Sequence, residues 1–188
     1  MDLVPNRQCG ECTACCTVLL IDEPDFQKLP GVTCPHCKPN SGCQIHETRF
    51  AICRGFFCGW RYLPHLDDSW RPDRCGFIIR NERDHIPPGY HPQGLRFLLF
   101  DRTDAILKPG FVEYVGTLIE HRVPVFISLR GPAGHSDGTI FLNEHMADAV
   151  ARRDKTACLG IINAAIAALQ QNQFEPAVFK HGKPAPAG

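Results

Sequence analysis

Ten of the eleven cysteines of this chain fall between Cys9 and Cys75. The stretch opens Cys9-Gly-Glu-Cys12-Thr-Ala-Cys15-Cys16 and continues through Cys34, Cys37, Cys43, Cys53, Cys58 and Cys75. A small apolar side chain would fill the same space without the risk of oxidation, so packing does not account for such a density of thiols, and bonding by sulfur does. Two residues between thiols put both sulfurs within reach of one tetrahedral ion at about 2.3 Å. That spacing occurs at Cys9/Cys12, Cys12/Cys15 and Cys34/Cys37. A Cys-x2-Cys-x2-Cys run with a distant fourth cysteine also grips iron–sulfur clusters. Zinc takes the same soft ligands, so ligand type leaves zinc and an iron–sulfur cluster both open as the cofactor. The expected metal ligands are all ten clustered thiols. Eight would suffice for two four-sulfur sites, and spacing does not say which two are spare. His36 and His46 lie among them and are further candidates.

The compartment decides between metal and disulfide. A secretory signal needs a basic start, an apolar run and a small-residue cleavage site, whereas Met1 to Gln8 is polar and broken by Pro5. The longest apolar stretch, Ala157 to Leu169, contains Gly160 and Asn163 and falls short of the ~20 residues a bilayer span requires. The chain is therefore expected to be cytoplasmic and not to enter a membrane. Clustered thiols in a reducing compartment read as metal ligands. Charge excludes another class of partner. Residues 1–75 hold 8 Lys/Arg against 9 Asp/Glu, and the whole chain balances 20 against 20, so no basic surface for nucleic acid is expected despite the finger-like spacings. A metal ion is the expected partner, and a protein partner is compatible with the composition.

The elements that must position the cysteines are short. Thr17 to Ile21 reads as a strand or the end of a helical turn, and Pro24 with its flanking acids predicts a helix over 24–29, stopped by Pro30-Gly31. Cys34 to Cys43 is turn chemistry throughout, which lets several thiols converge without regular structure. Glu47 to Phe57 carries only Gly55 as a breaker and predicts a helix bearing Cys53. A loop then returns the chain to Cys75. Beyond it ordinary periodicities take over. Ile78-Ile79, Leu95 to Phe100, Val123 to Leu129 and Thr139 to Leu142 read as strands, and Pro109 to His121, a segment capped by Asn143 and running to Asp154, and Thr156 to Gln171 as helices. The last shows Leu159, Ile162, Ile166 and Leu169 in register, with Cys158 on its apolar side as a core residue and not a ligand. The fold class is α+β: an irregular Cys-rich layer packed on a small sheet with helices. The expected organisation is a cysteine-cluster region over 1–80, an α/β scaffold over 81–174 and a flexible tail over 175–188.

The residues also carry a resemblance. Cys9-x-x-Cys12-x-x-Cys15-Cys16, followed by Gly42-Cys43-Gln44-Ile45-His46-Glu47-Thr48-Arg49-Phe50-Ala51-Ile52-Cys53-Arg54-Gly55-Phe56, resembles the CxxCxxCC, YkgJ-type family of zinc- or iron-chelating cysteine-cluster proteins. Flagellin lysine N-methylase is similar in its cysteine motif. The resemblance covers roughly residues 9 to 80. It implies metal-binding roles for Cys9, Cys12, Cys15, Cys16, Cys43 and Cys53, with Cys34 and Cys58 as additions. This chain has His46 where the family has Tyr and Phe50 where it has Pro.

Three functions follow as expectations. The first is an iron–sulfur centre with a redox or protein-modifying role, the second a zinc-stabilised interaction or metal-handling module, and the third, on the resemblance alone, a lysine N-methylase-like enzyme. No catalytic residue is assigned. Gly134-His135-Ser136-Asp137-Gly138 matches Gly-x-Ser-x-Gly, but a nucleophile elbow runs from strand to helix. Here a strand-like segment follows. Neither phosphate-cradling nor dinucleotide-binding glycine patterns occur.

Overall fold

The computed structural model describes residues 2–181. The protein is α+β, and its chain divides into two compact units. The first comprises Met1–Arg74, Arg130–Asp137 and the segment from Phe174 onward; the second comprises Cys75–Leu129 and Gly138–Gln173.

The first unit is made of short pieces: α1 (Ala14–Val18), the hairpin β1 (Ile21–Glu23) and β2 (Phe26–Lys28), the hairpin β3 (Cys37–Lys38) and β4 (Gly42–Cys43), then α2 (Ala51–Gly55) and α3 (Gly59–Tyr62). The helix expected over 24–29 is a hairpin instead, with Glu23 opposite Phe26 and Ile21 opposite Lys28. Pro24 explains the exchange. Its fixed φ suits the second position of a β-turn as well as the first turn of a helix, and six residues are too few to nucleate a helix in isolation. The helix expected over 47–57 shrinks to α2. Phe50 takes an extended backbone at φ −51°, ψ 152° and stacks on Phe26 at 4.3 Å between ring centroids, which ends the helix on its N-terminal side.

The described part of the expected tail is tied down. Pro176 bridges to His135, Ser136 N–H donates to the Glu175 carbonyl, and the amides of Lys180 and His181 donate to the Asp22 carboxylate. Residues 182–188 of that expectation lie outside the described residues. The Gly-x-Ser-x-Gly segment is thus a loop edge paired with residues 175–177, and strand, not helix, follows it.

After α4 (Pro72–Cys75), the second unit builds one four-stranded sheet from β5 (Phe77–Glu82), β6 (Gly94–Leu99), β7 (Val125–Leu129) and β8 (Gly138–Phe141), in that order across the sheet. Between β6 and β7, which are parallel, runs α5 (Phe111–Glu120); the other two pairs are antiparallel. A parallel pair needs such a crossover because a tight turn can only reverse direction. Phe77, Phe97 and Phe111 meet edge to face at centroid distances of 5.2 to 5.9 Å and are fully buried. They join α5 to the sheet by large aromatic area. Last come α6 (Asn143–Ala151) and α7 (Lys155–Gln170). The buried stripe of α7 is Cys158, Ile162, Ile166 and Leu169. Leu159, expected in that stripe, sits one position off it.

Asn143 does not cap α6 with its side chain. Its Oδ1 accepts from Val125 N–H at 2.7 Å and its Nδ2 donates to the Val123 carbonyl at 2.8 Å, so one buried amide pins the start of β7 on either side of Pro124. We expect Asn143→Ala to cost about 1 to 3 kcal/mol, the penalty for a buried N–H left without a partner. Urea unfolding monitored in the second unit measures this, with no change expected in the reactivity of the clustered thiols.

Candidate metal centre

Four separate segments bring six cysteines toward one another in the first unit. Cys15 and Cys16 ride on α1, and Cys16 shares thiol hydrogen bonds with Cys15 and Cys37. Cys34 N–H donates to the Cys16 carbonyl at 2.9 Å, which lays the Cys34 loop along α1. Cys37 N–H then donates to the Cys34 carbonyl at 2.9 Å, closing the Cys-x2-Cys turn, while the Cys34 sulfur accepts from the His36 amide. Across the β3–β4 hairpin Cys37 stands directly opposite Cys43. Cys53, on α2, completes the group: Cys16, Cys34 and Cys43 all act on it electrostatically, and Arg49 holds its carbonyl at 3.1 Å.

Burial and the neighbouring sulfurs raise the pKa of Cys16, Cys34, Cys37 and Cys53. Burial, followed by the charge of Cys16, pushes Cys37 up to about 12. Cys16 rises further, through its hydrogen bond to Cys15 and then its own burial. A thiophilic ion inverts that preference, since it replaces several S–H protons with one divalent charge.

Sequence reasoning missed the cation beside this group. Lys28 is 4% exposed, and its Nζ donates to the carbonyls of Thr17, Leu29 and Val32 at 3.3, 3.1 and 2.9 Å. Burial lowers its pKa, opposed by the charges of Cys34, Cys16, Cys15 and Cys53. A lysine at the end of a hairpin strand carries no sequence signal for this role. Only the register with Ile21 turns it inward.

Cys9, Cys12 and Cys58 form a second gathering. Cys12 N–H donates to the Cys9 carbonyl at 3.0 Å in a turn where Gly10 has φ +53°. The Cys12 sulfur accepts from the amides of Ala14 and Asp73, and the Cys58 sulfur from those of Arg61 and Trp60. Arg7 fastens the two strands of chain together. Its guanidinium lies 5.4 Å from the Trp60 ring centre and donates to the carbonyls of Trp60, Leu63, Pro64 and Leu66.

The remaining expected residues make other contacts. Cys75 belongs to the second unit, is 3% exposed, and its sulfur donates to the Phe77 carbonyl at 3.2 Å. His36 packs against Phe26 and Phe50, and His46 is exposed with Nε2 2.7 Å from Arg49 Nη1. Where the resembled family has Pro, Phe50 supplies the stacked ring. Among the described residues no group of three or more His, Cys, Asp or Glu stands in a metal-holding arrangement. The Cys16 thiol bonds to its neighbouring thiols instead. Also among the described residues, no helix is long and apolar enough to cross a membrane.

No protein-family model, curated protein or solved structure matches the chain.

One backbone contact links the two gatherings. Gly42 has φ +73°, and a Cβ there would lie 2.3 Å from the Gly10 carbonyl oxygen. Gly42→Ala therefore combines left-handed strain with a clash against backbone. We expect it to destabilise the first unit by about 1 to 3 kcal/mol and to speed alkylation of Cys9 and Cys43. Gly55→Ala is the control: that position has no atom within 4 Å of the new methyl, and the substitution leaves both readouts unchanged or slightly improved.

Proposed function

We propose that the first unit is a thiolate metal-binding module whose ion, zinc or the iron of an iron–sulfur cluster, cross-links chain segments too short to hold one another. The observation that carries this reading is the approach of Cys15, Cys16, Cys34, Cys37, Cys43 and Cys53 from four segments, with Cys15, Cys16, Cys34 and Cys53 near the buried Lys28. The donor set fits a soft metal: all six atoms are sulfur, and a hard cation would call for oxygen. Cys16, Cys34, Cys37 and Cys43 are the four best placed to ligate, with Cys15 and Cys53 alongside. The metal supplies folding energy, on the order of 10 kcal/mol for a structural site, where elements of two to five residues supply little. The resemblance of residues 9 to 80 to zinc- or iron-chelating cysteine-cluster proteins supports the same reading. Cys75, buried and bonded within the second unit, is proposed as packing and not as a ligand.

Protein purified without air and assayed for metal and acid-labile sulfide tests the proposal. Zinc without sulfide identifies the first ion and brown protein with sulfide the second, while stoichiometric absence of any thiophilic metal after reconstitution would falsify the reading. Two substitutions separate ligand from packing. Cys53→Ser lowers metal content per folded molecule, because an oxygen replaces a thiolate beside the cluster. Cys158→Ser buries a hydroxyl in the α7 stripe, costs about 1 to 3 kcal/mol, and leaves metal content unchanged.

A further inference from the structure

Cys37 and Cys43 stand opposite each other across the β3–β4 hairpin, and the hydrogen bonds around them fix which kind of pair they form. Gln44 N–H donates to the His36 carbonyl at 2.8 Å, one step outside the pair, while the Cys37 N–H is spent on the Cys34 carbonyl. Bonded and non-bonded pairs alternate along an antiparallel ladder, so Cys37 and Cys43 occupy a non-hydrogen-bonded position. At such positions two side chains approach most closely, on one face, with Cα atoms about 4.5 Å apart. A disulfide spans Cα separations of about 4.4 to 6.8 Å. Both residues are free thiols.

We propose that Cys37 and Cys43 are a redox pair, closed by a peroxide into a disulfide across the hairpin and reopened by a dithiol. The inference follows from backbone register and does not rest on the metal-binding reading.

The hairpin is held in this register. Pro39 fixes one φ of the connection, Ser41 N–H donates to the Lys38 carbonyl at 3.2 Å, and Asn40 and Gly42 take left-handed φ values of 57° and 73°. Gly42 also lies so close to the Gly10 carbonyl that a Cβ there clashes, and a slip by one residue would bring Ser41 or Cys43 to that place. Cys43 is half-buried and Cys37 is buried, so a peroxide meets Cys43 first. The Cys43 sulfur attacks one peroxide oxygen, the O–O bond breaks, and the thiol proton leaves with the departing hydroxide as water, giving a sulfenic acid. The Cys37 sulfur then attacks the Cys43 sulfur, the S–O bond breaks, and a second water carries off the Cys37 proton. Two thiols and one hydrogen peroxide thus give one disulfide and two waters. A dithiol reverses the change by exchange and ends as its own disulfide. Because one short hairpin holds both sulfurs, the second step is intramolecular, which favours Cys37 over thiols on other segments. Where the metal-binding reading also holds, closure removes two of the four sulfurs best placed to ligate, and oxidation releases the ion.

The test treats the whole reduced, metal-free chain with hydrogen peroxide in the absence of air, blocks the remaining thiols with iodoacetamide, and digests with trypsin without reduction. Cleavage after Lys28 and Arg49, with Lys38 protected by Pro39, yields one peptide that carries Cys34, Cys37 and Cys43 together. Fragmented in a mass spectrometer, it should show alkylation on Cys34 alone and an internal disulfide from Cys37 to Cys43 that dithiothreitol opens. Alkylation on Cys43 alone marks a Cys34–Cys37 disulfide and overturns the proposal. So does a cross-link from this peptide to another as the main product, or a peptide alkylated at all three sulfurs after excess peroxide. Cys37→Ser adds a second readout: Cys43 should remain a sulfenic acid that dimedone traps, whereas a Cys43 disulfide formed as fast as in the unmutated chain denies register any part in the pairing. If that variant does not fold, the peptide of the unmutated chain decides alone. Oxidation of chain reconstituted with Zn2+, followed with a chromophoric chelator, separates the two readings. Zinc should be released in step with the disulfide; a chain that takes up no thiophilic metal yet forms the disulfide removes the metal-binding reading and upholds this one.

Discussion

A buried ammonium constrains the arrangement of the whole cysteine layer. Lys28 reaches three carbonyls, one from α1, one from its own hairpin exit and one from the loop that leads to Cys34. Burial lowers the Lys28 pKa, and the three carbonyls that accept from Nζ offset part of the cost of desolvating it. The register of the first hairpin follows from this requirement. Shifting β1 against β2 by one residue would turn Lys28 to the opposite face and leave three carbonyls without their donor. Arg7 does similar work nearby, gathering four carbonyls of the Trp60–Leu66 stretch and so bringing the Cys9 turn to Cys58. Cationic side chains on backbone oxygens help organise these loops.

The second unit is stabilised by other means. Its sheet is buried along β5, β6 and β7, three phenylalanines lock α5 to it, and α7 contributes a continuous apolar stripe. Some of its buried polar side chains, Glu82 and Asn143 among them, bond to backbone. Asn143 is the clearest, since it serves two backbone groups on either side of a proline that can donate nothing itself. Cys75 and Cys158 are both buried here, and the Cys75 thiol donates to the Phe77 carbonyl.

Most of the second unit was legible in the sequence because its elements are long enough for periodicity to speak. Leu95 to Phe100, Val123 to Leu129 and the helices around Val115 and Ile162 all lie within a residue or two of their expected positions. The first unit resisted, and for identifiable reasons. A proline that suits both a turn and a helix start drew a helix expectation at 24–29 where a hairpin stands, and an aromatic stack between Phe26 and Phe50, distant in sequence, cut the helix at α2. The thiols themselves were obvious, but their grouping was not. Cys-x2-Cys-x2-Cys reads as one continuous comb, whereas Cys15 and Cys16 ride on α1 and Cys9 and Cys12 sit in the turn before it. Lys28 could not have been singled out, because nothing in a sequence marks a charge that folding will bury.

The first unit is discontinuous along the chain, for it needs Arg130–Asp137 and the segment from Phe174 onward as well as its cysteine region. During synthesis all ten clustered cysteines emerge before roughly the last hundred residues exist, at about 5 to 20 residues per second. For several seconds the nascent thiols are present without the residue that bridges to His135, Pro176, or the Lys180 and His181 amides that hold Asp22. A fragment ending near residue 80 would stay in that condition permanently. The interval between emergence and closure is when the thiols are most open to a metal donor, to oxidants, and to pairing with the wrong neighbour.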